Sequence, residues 1–263
     1  MSLPSVEEVR KRIEEIPDES IQVCYKTTYL MCARIGEIIC LKYPTDLTAH
    51  PTGSKLKVTV TTYTPDLKNP KEFQTLVLTR AMKGQPTDLQ TLATIQEPVA
   101  VFSVSTEKRQ EWERLIGLPL RKEFEPWTQE LVDYFQEHKG SDLFPFTRQE
   151  MYNTVRTVFS GLEYKIFPYK RVRKEKGEPV IDAVTKKTIK FSVPEHLKPF
   201  RNHGLRHLRN VELRDFYGLS AEERSSYGGW TLRSMIGGIG SSIDRYGEAA
   251  WRPFFPKLLQ KRI

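Results

Sequence analysis

Little in this sequence suits a membrane, secreted or metal-clustered protein. No window holds the roughly eighteen uninterrupted apolar residues that a membrane span needs. The most apolar stretch, Tyr29 to Leu41, is broken by Arg34 and Glu37. The opening Met-Ser-Leu-Pro-Ser-Val-Glu-Glu contains no apolar signal core. Cysteine is scarce: Cys24, Cys32 and Cys40 are the three in 263 residues, spaced by eight in one apolar segment. An odd count with no Cys-x-x-Cys pair and no clustered His argues against a disulfide framework or a zinc site. These residues read as small buried apolar side chains in a reducing compartment. With 15 Gly and 17 Pro, collagen-like sequence is excluded, and no internal repeat or low-complexity linker is present. A chain that is 38% hydrophobic and 28% charged is not disordered throughout. The expectation is a soluble, cytoplasmic protein with no membrane partner, built as one large domain or two small ones.

What the sequence has in excess is positive charge. It carries 41 Lys+Arg against 33 Asp+Glu, a net +8, and a pI near 9.3. The excess is concentrated. Between Lys165 and Lys190 stand nine cations, Lys165, Lys170, Arg171, Arg173, Lys174, Lys176, Lys186, Lys187 and Lys190, against Glu175, Glu178 and Asp182. Nine against three leaves +6 of the +8 in 26 residues. The segment reads as two extended arms, Tyr169–Arg173 and Thr185–Phe191, joined through the turn signal Lys176-Gly-Glu-Pro179. Tyr164, Phe167, Tyr169 and Phe191 interleave with the cations. A basic ribbon with aromatics is the footprint of a nucleic-acid surface, although a solvated charged hairpin has the same composition.

Helical and extended patterns alternate in blocks. Ser5-Val-Glu-Glu8 is a capping box opening a helix to about Ile16. Apolar residues recur at helical spacing from Ser20 to Tyr43, as two short helices with a break near Ala33. The period then switches to two at Leu56–Thr64, with further strands at Thr75–Ala81, Val99–Ser105 and Leu115–Leu120. Helices return at Trp127–His138 and at Thr147–Phe159, and after the ribbon at 203–216 and 221–228, with a last short helix near Tyr246. The expected fold class is α+β, mostly α-helical, with a small antiparallel sheet of three or more strands.

The densest group of reactive side chains is His203-Gly-Leu-Arg206-His207. On a helix, His203 shares a face with both Arg206 and His207, and a guanidinium beside an imidazole suits a phosphate. Alone, such a group is commonly incidental surface chemistry. Upstream, however, Cys32-Ala-Arg34-Ile-Gly-Glu37-Ile-Ile-Cys-Leu embeds an arginine and a glutamate in apolar sequence, a placement that calls for a partner. Glu37 is close enough in sequence to hold Arg34, which also allows a purely structural pair. Downstream come Gly229-Trp230 and Asp244-Arg-Tyr246.

Taken in order, these boxes resemble the catalytic domain of the tyrosine recombinase (phage integrase) family, in a divergent archaeal or viral branch of mobile-element enzymes. Cys32–Leu41 is similar to the family's first arginine box, and His203-Gly-Leu-Arg206-His207 to its His-x-Leu-Arg-His box. Trp230 falls 27 residues after His203, where the family has Gly-His or Gly-Trp, and Tyr246 stands at the nucleophile position. The similarity spans residues 19–250, with 1–18 as an N-terminal helical extension and 251–263 as a C-terminal tail.

The resemblance implies a catalytic set of Arg34, Lys108, His203, Arg206, Trp230 and Tyr246, with Lys83 the competitor of Lys108. It implies no cofactor and no metal, a double-stranded DNA partner, and a homo-oligomer (a tetramer in the family) on DNA from a chain that can be monomeric when free. The DNA-tracking residues would be Lys170, Arg171, Arg173, Lys174, Lys176, Lys186, Lys187 and Lys190. The implied activity is site-specific DNA cleavage and rejoining through a 3′-phosphotyrosine with a free 5′-hydroxyl, in the cytoplasm, nucleoid or host cytoplasm. Type IB topoisomerase-like relaxation and a non-catalytic DNA-binding accessory role are the alternatives. The sequence departs from the family in a long gap from Arg34 to Lys108, a glycine-rich stretch before Tyr246, and no counterpart of an N-terminal DNA clamp. Trp230 and Tyr246 taken singly read as core aromatics, and Tyr227 is a nearby rival tyrosine. The apolar tail fits docking on its own domain as well as on a neighbour.

Overall fold

The computed structural model describes residues 3–44, 56–63, 97–106, 109–182, 185–229 and 254–261. The expected strand at 75–81, Lys83, Lys108, Trp230, the glycine-rich 236–242 and Tyr246 lie outside the described residues.

The chain opens with α1 (Val6–Glu14), whose N-cap Ser5 accepts from the Glu8 N–H. Glu8 does not return the bond; its carboxylate accepts from Arg12 Nε at 2.8 Å instead. Helix α2 (Glu19–Leu30) is buried along most of its length. The expected break falls at Met31–Arg34, where Cys32 takes a left-handed φ of +50°, before the single turn α3 (Ile35–Ile38). Strands β1 (Leu41–Lys42), β2 (Leu56–Tyr63), β3 (Val99–Thr106) and β4 (Arg109–Pro119) form one sheet in that order. β1 joins parallel and the others antiparallel.

The sheet's inner face follows from its period of two. Val60 lies opposite Phe102, and Phe102 opposite Ile116, while Val58 lies opposite Val104 and Val104 opposite Arg114. The first three are core residues packed toward the helices, with Phe102 edge-on to Phe135. Helices α4 (Thr128–Glu137) and α5 (Arg148–Val158) follow, the latter opened by the full Thr147/Glu150 capping box. After the extended segment come α6 (Asn202–Asp215) and α7 (Ala221–Gly228), the latter with a Ser220/Glu223 capping box. A 3₁₀ turn at Phe255–Leu258 places Phe254, Phe255 and Leu258 in the same core as Val9 and Ile13 of α1. Both ends of the described chain are thus part of the main body. Among the described residues the architecture is α+β, and no helix is long and apolar enough to cross a membrane.

Charged side chains also cross this core. Arg10 forms a bidentate pair with Glu125 at 2.6 and 2.7 Å and stacks over Trp127 at 4.0 Å. Arg209, 1% exposed, bonds Glu212 at 2.5 Å and lies 3.7 Å from Glu125, while Tyr29 donates to Glu212 at 2.8 Å. This network ties α1, α2, α6 and the loop before α4 together.

Candidate functional site

The first arginine box folds around one carboxylate. Glu37 Oε1 accepts from Arg34 Nη1 at 2.9 Å, and Oε2 accepts from the Arg34 backbone N–H at 3.0 Å. The same Oε2 lies 3.9 Å from Arg206 Nη1. Glu37, three residues after Arg34, therefore sits between the guanidiniums of both arginine boxes. Arg206 is buried and also donates through Nη2 to the Gly228 carbonyl at 3.2 Å. Burial pulls its pKa down to about 10, with Arg114 and Arg34 adding repulsion, so it is charged at neutral pH.

His203 and His207 stand one turn apart on α6, their rings edge to face at 4.5 Å. Partial burial, then the charges of His207, Arg206 and Arg34, hold His203 below the usual imidazole range, and burial followed by Arg206 does the same to His207. Near neutral pH His203 is thus an uncharged imidazole able to accept a proton. Arg34 and His203 line one cleft of about 450 Å³, together with Gly36, Glu37, Arg148, Tyr152, Arg201 and Asn202. A Cβ at Gly36 would stand 2.9 Å from the Arg148 guanidinium, so a larger residue would make that flexible side chain shift. The cleft has four cations or potential cations and one carboxylate lining it.

The basic segment is more elaborate than the two arms expected from the sequence. β5 (Glu163–Ile166) pairs with β10 (His196–Pro199), and β6 (Tyr169–Val172) with β9 (Lys190–Val193). Beyond that stem the ribbon branches. Arg173 N–H donates to Ile189 O, Ile189 N–H to Val180 O, and Val180 N–H to Arg173 O, each at 2.9 Å. From this closed triangle spring two small hairpins. One pairs β7 (Lys174–Glu175) with β8 (Glu178–Pro179) around Lys176-Gly177, both at positive φ. The other runs from Ile181, paired with Thr188, through an Asp182–Thr185 side-chain turn.

The Lys-Gly-Glu-Pro turn therefore closes its own hairpin and does not join the two arms. A left-handed pair such as Lys-Gly suits a two-residue hairpin loop, which accounts for the local closure. All eight ribbon cations named from the sequence are exposed, as are Phe167, Tyr169, Ile181, Phe191 and Leu197. The arm is rooted between α5 and α6, where Phe200 N–H donates to Leu162 O at 2.8 Å.

Of the residues singled out in the sequence, Arg34, His203 and Arg206 converge; Lys108, Trp230 and Tyr246 lie outside the described residues. The rival Tyr227 is fully buried and donates to the Leu30 carbonyl, and burial pushes its pKa up to about 12. Such a phenol is locked in the core and is a poor nucleophile. Sequence reading passed over Arg148 and Arg201 in the cleft and Arg114 behind it. Arg114 carried a signal: it is a charge at a core-facing position of an alternating strand, one residue before the stretch read as β. Compared with protein families, curated proteins and solved structures, this chain matches none.

Proposed function

We propose that this chain is a tyrosine-type DNA strand transferase, a site-specific recombinase or integrase. The observation that carries the reading is the shared Glu37 carboxylate, which fixes Arg34 and Arg206 beside a neutral His203. In this reaction the Tyr246 phenol oxygen attacks the scissile phosphorus while the bond from phosphorus to the 5′-oxygen breaks. Arg34 and Arg206 stabilise charge on the non-bridging oxygens, with Trp230 Nε1–H as a further donor. His203 takes the phenolic proton, and Lys108 protonates the departing 5′-oxygen. The phosphotyrosyl bond retains the energy for rejoining. The basic arm, which leads into the helix carrying His203 and Arg206, would follow the DNA backbone flanking the site.

The test is covalent trapping on a nicked suicide DNA substrate, with the modified residue identified by mass spectrometry. A DNA-linked Tyr246 peptide that disappears in Tyr246→Phe is the expected result; no adduct across a library of sites would sink the reading. The exposed arm separately favours a second reading, a DNA-binding accessory protein without chemistry. Salt-sensitive DNA binding that Tyr246→Phe leaves unchanged, with no adduct from wild type, would select it.

A further inference from the structure

Arg114 brings a guanidinium from the sheet to the end of α7 beside the one that Arg206 bonds. On β4, Leu118 and Ile116 are fully buried, and Arg114 takes the next position on that face, opposite Val104. A guanidinium at such a position loses hydration, a cost that hydrogen bonds or counter-charge must offset. The offset within the described chain is partial. Nη1 donates to the Tyr227 carbonyl at 3.2 Å, whereas Nε is buried with no hydrogen-bond partner among the described residues. Burial accordingly pulls the Arg114 pKa down from the ordinary arginine value.

Arg206 makes the matching bond to the next carbonyl, that of Gly228. Both guanidiniums thus bind the last carbonyls of α7, where a helix has no further donors of its own and presents the negative end of its dipole. Gly229 follows in a left-handed turn with φ of +64°, and a Cβ there would lie 3.2 Å from Arg114 Cδ. The charges of Arg114 and Arg34 both bear on Arg206, and Glu37 bears on all three arginines. Three guanidiniums around one carboxylate leave a surplus of two positive charges.

We propose that Arg34, Arg114 and Arg206 form one oxyanion site, in which Arg114 is a third guanidinium for the phosphoryl group. The proposal rests on the strand-transfer reading above and extends it. A phosphodiester brings one negative charge. Attack by a phenol that has given its proton to a base adds a second on the non-bridging oxygens. A site with two surplus positive charges is therefore matched to the transition state rather than to bound substrate, which is the condition for accelerating the step.

Two measurements test it. First, orthovanadate alone is titrated into protein labelled with ¹⁵N-arginine, with the Nε–H signals assigned through Arg114→Lys and Arg206→Lys. The Arg114 signal is expected to shift together with that of Arg206; a shift confined to Arg206, or no vanadate binding, overturns the site. The signals are assigned independently by triple-resonance connectivity in wild-type protein, so this arm decides even if an Arg114 variant fails to fold. Second, Arg114→Gln is assayed on suicide substrates with a normal or a methylphosphonate scissile linkage, the latter lacking one negative charge. The expected loss is about 100-fold on the normal linkage, as for one oxyanion donor, shrinking to within roughly 5-fold on the neutral one. Equal loss on both means that Arg114 only anchors α7 and overturns the proposal. Vanadate shifting Arg114 while wild type forms no adduct supports the oxyanion site and instead defeats the strand-transfer reading.

Discussion

Cys32 donates through Sγ to the carbonyl oxygen of Arg206 at 3.3 Å, tying the left-handed turn before the first arginine to the helix that carries the second. Burial pushes this thiol up to about 11 against the nearby positive arginines, so it is a protonated donor at neutral pH. Cys40 is only partly buried. Iodoacetamide at pH 8 is expected to label Cys40 in the native protein and Cys32 only after unfolding, read by mass spectrometry of tryptic peptides. Cys32→Val, which removes the bond to Arg206 and puts a β-branched residue at φ of +50°, should lower stability in urea unfolding. Equal labelling of both thiols in the native state would contradict the tie.

The His203 imidazole is the site's titrating group near neutrality. Its folded-state pKa lies below 6.5 because of burial and the charges of His207, Arg206 and Arg34. The folded protein therefore binds this proton less readily than the unfolded chain. The associated stability is complete above pH 6.5 and is lost as pH falls through the lowered value. A ring-proton NMR titration should give a His203 midpoint below 6.5, moving upward in Arg34→Gln as one repelling charge is removed. The acid limb of the cleavage rate should move with it. An unmoved midpoint in Arg34→Gln would separate Arg34 from His203.

Glu125 carries the heaviest structural charge. It is 1% exposed and faces both Arg10 and Arg209. Removing one partner of a buried pair strands the other, so Glu125→Ala should lose roughly 3–5 kcal/mol in urea unfolding. Arg10→Met, which keeps apolar contact with Trp127 and leaves Arg209 facing the carboxylate, should lose less in the same measurement.

Gly229 controls how close Arg114 comes to α7. Gly229→Ala places a Cβ at φ of +64° and 3.2 Å from Arg114 Cδ. The backbone alone should cost about 1–2 kcal/mol, and displacement of Arg114 should lower the cleavage rate beyond what the melting curve explains. A variant of reduced stability with an unchanged rate would show that the arginine accommodates the methyl.

Periodicity and capping made much of the fold legible. The two helices read in Ser20–Tyr43 are Glu19–Leu30 and Ile35–Ile38, with the break where Cys32 turns left-handed, although Leu41–Lys42 at its end is a strand; the Thr147/Glu150 and Ser220/Glu223 boxes open the helices they announce. The site was legible where its residues are close in sequence, as Arg34 is to Glu37 and His203 to Arg206. What escaped are contacts made across the fold. Arg114 and Arg206 bond neighbouring carbonyls only because β4 packs against α7, and Arg148 enters the cleft only because α5 crosses α3 at Gly36. The branching of the ribbon was likewise hidden. The backbone triangle of Arg173, Val180 and Ile189 uses main-chain groups, on which side-chain pattern has no bearing.

None of the arm's cations lines the cleft, so its contribution should separate from chemistry. On the stem, Arg171 lies opposite Phe191 and Lys190 opposite Val172, while Lys170 lies opposite Ser192. In an antiparallel pair opposite residues share a face, and neighbours along a strand alternate. Arg171 therefore presents one face and Lys170 with Lys190 the other, which suits a ribbon lying along a groove with phosphates on both sides. Removing one cation that neutralises a phosphate lowers the slope of log K against log salt by roughly 0.9. Lys170→Gln, Arg171→Gln and Lys190→Gln combined should thus reduce the slope by about 2 to 3. The single-turnover cleavage rate at saturating DNA should stay within roughly 3-fold of wild type, since the altered charges bind substrate and transition state alike. An unchanged slope would remove the arm from the DNA interface, and a collapse of the saturating rate would place it in the chemistry instead.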